Sequence, residues 1–217
     1  MAPSNAKSLA HTDEAIKKLQ RYILSFLQNW NNDPSLRKEI KRIEVAIDRF
    51  SKSRKRKGYK YPWTAAIYAC FRQLADDPQQ IGHKSRHRWI IYPSERPYAG
   101  EFMTDFAIYE EGYGFRVACE SQWHEANNTE RVSDAFAKLL HVKSDLKVLI
   151  FESPHDEGCT ETKLLFDSLH RNYLKDYMHF SAHEDYLLMQ WHGSKARCYL
   201  WRPFNSKKLN LIEEIEI

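Results

Sequence analysis

The chain has 217 residues, of which 42% are hydrophobic and 29 are aromatic (11 Phe, 12 Tyr, 6 Trp); this excludes an extended disordered chain and suffices for one domain with a sizeable core. The net charge of +4 is unevenly spread: residues 1–100 hold 20 Lys and Arg against 9 Asp and Glu, a balance of +11, which leaves −7 to residues 101–217. The front half is expected to face a polyanion, against the plain alternative of a solvated basic surface.

Cys70, Cys119, Cys159 and Cys198 form no CxxC pair, which argues against a zinc ribbon or a disulfide framework and for a reducing compartment. The N-terminal MAPSNAKSLAHTDE lacks an apolar signal core, and no run approaches the ~20 apolar residues of a membrane span. A soluble, cytoplasmic protein is expected, nucleoid-associated if the source is bacterial.

Ile16, Leu19, Ile23, Phe26, Leu27 and Trp30 recur at helical spacing and predict a helix over 13–30, capped by Thr12 or Asp13. Asp33-Pro34 opens a second helix, with Leu36, Ile40, Ile43, Ile47 and Phe50 on its stripe. The basic stretch SKSRKRKGYK follows as a loop, and PWTAAIYACFRQL then predicts a third helix over 62–74. From residue 86 the period falls to two: HRWIIY, FMTDFAIY and FRVACESQW are strands in succession, the last two joined through EEGYG as a hairpin. Val132, Ala135, Phe136, Leu139 and Leu140 mark a further helix, capped by Asn127, Asn128 or Thr129, and LKVLIFE (146–152) reads as a buried, parallel central strand. A helix near 161–177 and two strands, EDYLLMQW and RCYLWRP, complete the pattern. The expected fold class is α/β: a mixed central β-sheet flanked by helices over 62–217, preceded by an N-terminal helical extension and basic loop over 1–61, the whole forming one compact unit.

The hairpin carries polar residues on an otherwise apolar frame. A turn centred between Gly112 and Tyr113 sets Asp105 opposite Glu120, with Cβ atoms roughly 4.5–5.5 Å apart, where like charges repel. A positive group is therefore expected between them. Gln122, two residues beyond Glu120, shares their face with Ala107 and Ala118. Two carboxylates and a carbonyl oxygen form a hard-oxygen set suited to Mg²⁺, which lowers the pKa of an attacking water and stabilises charge developing on a phosphate.

In this setting Asp105 and Glu120-Ser121-Gln122 resemble the PD-(D/E)xK nuclease superfamily, whose core order of helix, three strands, helix and strand matches residues 62–152. The resemblance implies a restriction-endonuclease-like core, with Asp105 and Glu120 as metal ligands at the catalytic site and the backbone carbonyl of Ser121 as a further ligand. It also implies Mg²⁺ as cofactor, with Mn²⁺ able to substitute. Gln122 stands where most members carry Lys; a Lys holds the attacking water by its charge, whereas Gln orients it by hydrogen bonds. VACESQW is similar to the third strand of those type II restriction endonucleases that carry ExQ and are active, including readers of GATC-centred sites. Thr104 replaces the Pro that precedes the Asp in many members. Many also add an acidic residue from the first helix; Glu44 ranks ahead of Glu39 for that part, although the helix nearest the strands has no carboxylate, and a solvated helix face is the plain alternative.

Arg54, Lys55, Arg56, Lys57 and Lys60, interleaved with Tyr59 and Tyr61, are expected to neutralise DNA phosphates and make binding salt-dependent. In a eukaryote the same run could act as a nuclear signal. His83, Lys84, Arg86, His87 and Arg88 form a second cluster, read as phosphate contacts or plain surface. The helix after the hairpin carries Asn127, Arg131, Lys138, His141 and Lys143, which the resemblance places beside the cleft as DNA anchors, with a solvated face as the alternative. Glu152 and Gln190 sit where ligands gather in such sheets, an ordinary polar strand end being the favoured alternative for each, and alternation turns Trp123 to the opposite, buried side.

The expected function is a Mg²⁺-dependent endonuclease acting on double-stranded DNA, of restriction or other defence type. A homodimer is expected if it cuts both strands at a palindrome. The rivals are a nuclease-fold nucleic-acid-binding or regulatory protein with weakened catalysis, a DNA repair nuclease, and a protein-interaction module.

Overall fold

The computed structural model describes residues 13–52, 62–83, 87–92, 104–123, 128–153, 167–168, 184–202 and 210–216. In chain order these form α1 (Asp13–Asn29), α2 (Pro34–Lys52), α3 (Pro62–Asp76), a 3₁₀ turn (Pro78–Ile81), β1 (Trp89–Tyr92), β2 (Phe106–Glu110), β3 (Gly114–Gln122), α4 (Asn128–His141), β4 (Leu146–Glu152), β5 (Asp185–His192), β6 (Lys195–Trp201) and β7 (Asn210–Glu216). Asp33 caps α2 as its sequence suggests: its Oδ1 accepts the amides of Ser35 and Leu36 at 2.7 and 3.1 Å. The helix expected near 161–177 lies outside the described residues except at 167–168, which are helical.

The seven strands make one sheet in sequential order. β1, β2 and β3 are antiparallel, β3, β4 and β5 are parallel, and β5, β6 and β7 are again antiparallel. The central run LKVLIFE is buried on both faces, as a parallel strand requires. Its even-numbered Val148 and Ile150 join Phe106, Ile108, Val117 and Cys119 under α1, α2 and α3. Its odd-numbered Leu149 and Phe151 join Ala118, Tyr186 and Leu188 under Val132, Ala135, Phe136 and Leu139 of α4. The result is a sheet between two helical layers, an α/β architecture.

Two features go beyond the sequence pattern. β7 is a seventh strand, paired with β6, that the pattern did not mark. Leu19, Ile23 and Leu27 of α1 and Ile40 and Ile43 of α2 share one hydrophobic cluster with Phe71 and Val148, so the first two helices are part of the core layer over the sheet. Among the described residues no helix is long and apolar enough to cross a membrane.

Candidate active site

β2 and β3 pair Phe106 with Cys119, Ala107 with Ala118 and Ile108 with Val117, the register read from the hairpin sequence. Towards the turn the pairing slips by one, Tyr109 facing Phe115, and Arg116 is the extra residue of a bulge. At the other end the ladder stops at Phe106, and side chains take over where the strands part. Glu120 Oε1 accepts the backbone N–H of Asp105 at 3.0 Å. Asp105 Oδ2 accepts the Ser121 N–H at 2.9 Å and its hydroxyl at 3.0 Å. These reciprocal bonds fix the two carboxylates against each other on neighbouring strands.

The positive group that reaches the pair is Lys138 of α4, whose Nζ donates to Glu120 Oε2 at 3.0 Å. The sequence offered Lys138 as a DNA anchor or a solvated residue; the structure places its ammonium on Glu120. Its position follows from the helix pattern, since Lys138 flanks the apolar stripe of Ala135 and Leu139 that packs on the sheet. Its side chain is 48% exposed, whereas that of Glu120 is 0% exposed.

Burial, then the adjacent Asp105 charge, pushes the Glu120 carboxyl up to about 8, against the opposing pull of Lys138 and the Asp105 amide. Asp105 is raised by burial too, with the Ser121 donors and Lys138 working the other way. Burial alone would lower the Lys138 ammonium, but the Glu120 charge and hydrogen bond, with Asp105 and Asp134 behind them, raise it. Ionising Glu120 in the folded protein is thus unfavourable without a further cation. Because its folded value lies above the ordinary one, its contribution to stability is complete below the unfolded value near 4.5 and is lost as pH rises through about 8. The metal-free protein is expected to lose up to about 4 kcal/mol between pH 5 and pH 9 from this group. Glu120→Gln should flatten that slope in urea unfolding at a series of pH values; an equal slope in the variant would show that another group titrates.

Gln122 is half-buried at the end of β3 and lies in register with Phe151, Gln190 and Arg197. Gln190 is buried in β5 and Glu152 is half-buried at the end of β4. Trp123 turns to the other face as expected, stacked on Trp63 with ring centroids 5.0 Å apart. Glu44 is not brought to the pair: it bonds Lys41 at 2.7 Å on α2, in the helical layer across the sheet, where Glu39 lies 3.8 Å from Arg72. Arg88 is exposed beside the hairpin turn, its carbonyl accepting the Glu111 amide at 3.1 Å. That turn is about 17 Å along the strand from Asp105. Arg54, Lys55, Arg56, Lys57, Lys60, Lys84 and Arg86 lie outside the described residues.

Once both carboxylates ionise they outnumber the one ammonium beside them, a charge that a bound cation would offset, and Asp105 Oδ1 has no hydrogen-bond partner among the described residues. No group of three or more His, Cys, Asp and Glu suited to a metal occurs among those residues. The pair is a sparse oxygen set of the kind that fits Mg²⁺, which takes one or two carboxylates and leaves its other positions to water and phosphate. In comparisons with known proteins, no family model, curated protein or solved structure matches this chain.

Proposed function

We propose that this protein is a Mg²⁺-dependent DNA endonuclease of the PD-(D/E)xK type. The observation that carries the reading is the Asp105–Glu120 pair, held on adjacent strands where β2 and β3 part, with Glu120 fully buried and a lysine at its oxygen. The order α3, β1, β2, β3, α4, β4, with β3 and β4 parallel, supports it, because it is the order that the superfamily core has.

Asp105, Glu120 and the backbone carbonyl of Ser121 would hold the ion. When bound, Mg²⁺ lowers the pKa of an attacking water and stabilises negative charge on the phosphate. The Ser121 amide and hydroxyl hold Asp105 Oδ2 and leave Oδ1 available as a ligand. Gln122 orients water by its amide, without charge. Lys138 supplies from α4 the positive charge that the strand lacks, close to Glu120 and reachable by a phosphate because half its side chain is exposed.

Lys138 is therefore a positioning and charge-balancing residue, and Lys138→Met is expected to lower kcat on the order of 10²-fold. Lys138→Arg should recover part of the loss; a Met variant as fast as the parent would remove Lys138 from the mechanism. The endonuclease reading itself is tested with supercoiled and bacteriophage DNA in Mg²⁺, Mn²⁺ or EDTA. Metal-dependent nicks or discrete fragments are expected. Salt-sensitive DNA binding without cleavage would favour a nuclease fold used for recognition.

A further inference from the structure

Across the sheet from the carboxylate pair, the turn after α1, the helix α2 and the start of α3 line an open cleft of about 510 Å³. Its lining includes Trp30, Pro34, Arg37, Lys38, Lys41 and Pro62. Trp30, the first residue after α1, is half-buried, its ring edge-on to Trp63 with centroids 6.1 Å apart. Trp63 in turn stacks on Trp123 and tilts against Trp191 at 5.8 Å. The Trp30 indole is thus one end of a packed aromatic row, a rigid wall rather than a mobile surface ring.

The α2 side of the cleft is cationic. Arg37, Lys38 and Lys41 line it from α2, and all three are exposed. Lys41 is tied to Glu44 at 2.7 Å, whereas Arg37 and Lys38 form no ion pair among the described residues. Charged groups on a helix ordinarily point into solvent at random with respect to aromatic rings. Here two cations without an ion-pair partner among the described residues share a concavity with an indole. That combination suits a ligand with a flat ring and adjoining phosphates, the pairing by which proteins hold single strands. Duplex DNA keeps its bases stacked inside and cannot offer a ring to such a wall.

We propose that this cleft binds single-stranded nucleic acid, one base packed against Trp30 and the neighbouring phosphates on Arg37 and Lys38. The proposal rests on the nucleic-acid reading of the chain and is independent of catalysis by Asp105 and Glu120, which lie under the other helical layer. Glu44 also lines this cleft, where it accepts the Lys41 ammonium.

The test is fluorescence anisotropy in EDTA with a labelled oligo(dT) strand and a labelled duplex of the same length. Arg37→Ala/Lys38→Ala should weaken single-strand binding at least tenfold and reduce the slope of log K against log salt by about 1.4, two phosphates at ~0.7 each. Trp30→Phe should keep most of the affinity and Trp30→Leu should lose about tenfold, the size of one stacked base. Both charged side chains are exposed, so the double variant should melt with the parent. Single-strand affinity unchanged in that double variant, or an equal fall for strand and duplex, would overturn the proposal, as would a parent that does not bind the strand. Cleft-dependent strand binding in a protein without metal-dependent cleavage would uphold it while the endonuclease reading fails. Cleavage with no dependence of strand binding on the cleft would do the reverse.

Discussion

Asp105→Ala and Glu120→Ala are each expected to abolish metal-dependent DNA cleavage while leaving the fold intact. A bound ion contributes several kcal/mol to the transition state, and each 1.36 kcal/mol is tenfold, so losing one of two carboxylate ligands should cost at least about 10³-fold. Folding should survive for a specific reason. Glu120 is a carboxyl raised to about 8 in the folded chain, so near neutral pH it is largely un-ionised and its removal takes away little buried charge, and the half-exposed Lys138 can turn to water. Asp105→Asn and Glu120→Gln are the companion variants, since they keep shape and most hydrogen bonds while removing charge. Plasmid cleavage under multiple-turnover conditions, beside thermal melts of the same preparations, reads both effects. A variant that cuts as the parent does would show that the pair is not the catalytic site.

Arg116→Ala is expected to destabilise the protein by about 3–5 kcal/mol, the loss typical when one partner of a buried ion pair is removed. Arg116 is 5% exposed and sits in the bulge of β3. It donates through Nε to Glu110 Oε2 at 2.6 Å and through a terminal nitrogen to Asp145 Oδ2 at 2.6 Å, with the Tyr113 ring 4.8 Å away. Glu110 is 2% exposed, so the truncation leaves a buried carboxylate without its guanidinium. The nearby His83, 3.4 Å from the same oxygen, does not replace it, because burial lowers its pKa and keeps the ring neutral near pH 7. Out of a total stability of about 5–15 kcal/mol the loss is large. Urea unfolding followed by tryptophan fluorescence measures it, and Glu110→Gln/Arg116→Met should lose less than the single variant because it removes both charges. A single variant within about 1 kcal/mol of the parent would mean that the network adds little to stability.

Much of this arrangement is legible before folding because it rests on short-range rules. Period two placed the hairpin, and its register put Asp105 opposite Glu120, since alternation fixes which residues meet once the turn is located. The slip at Arg116 was not legible, because a bulge inserts one residue without altering the local pattern of FRVAC. The helices announced themselves by stripes such as Ile16, Leu19 and Ile23, and Asp33-Pro34 by its cap. β7 was missed because NLIEEIE mixes apolar and acidic residues; its register slips between Cys198 and Tyr199, and Glu213 and Glu214 are spent on Gln20 and Arg197. Lys138 was visible only as a cation at the edge of an apolar stripe. Its meeting with Glu120, 18 residues away, depends on how α4 lies over β3, which no local rule gives. Glu44 shows the converse: a carboxylate on a helix reads as a candidate in sequence, but the layer in which α2 packs sends it to another cleft.

The central claim is that Asp105 and Glu120 hold a divalent ion at the site of cleavage. Its most direct test is Mn²⁺ binding, read from the electron paramagnetic resonance signal of the free ion, in the parent and in Asp105→Ala/Glu120→Ala, each with and without duplex DNA. The account predicts that the parent removes Mn²⁺ from solution, more tightly when DNA is present, and that the double variant does not. Equal uptake by the two proteins, or none by the parent even with DNA bound, would contradict it.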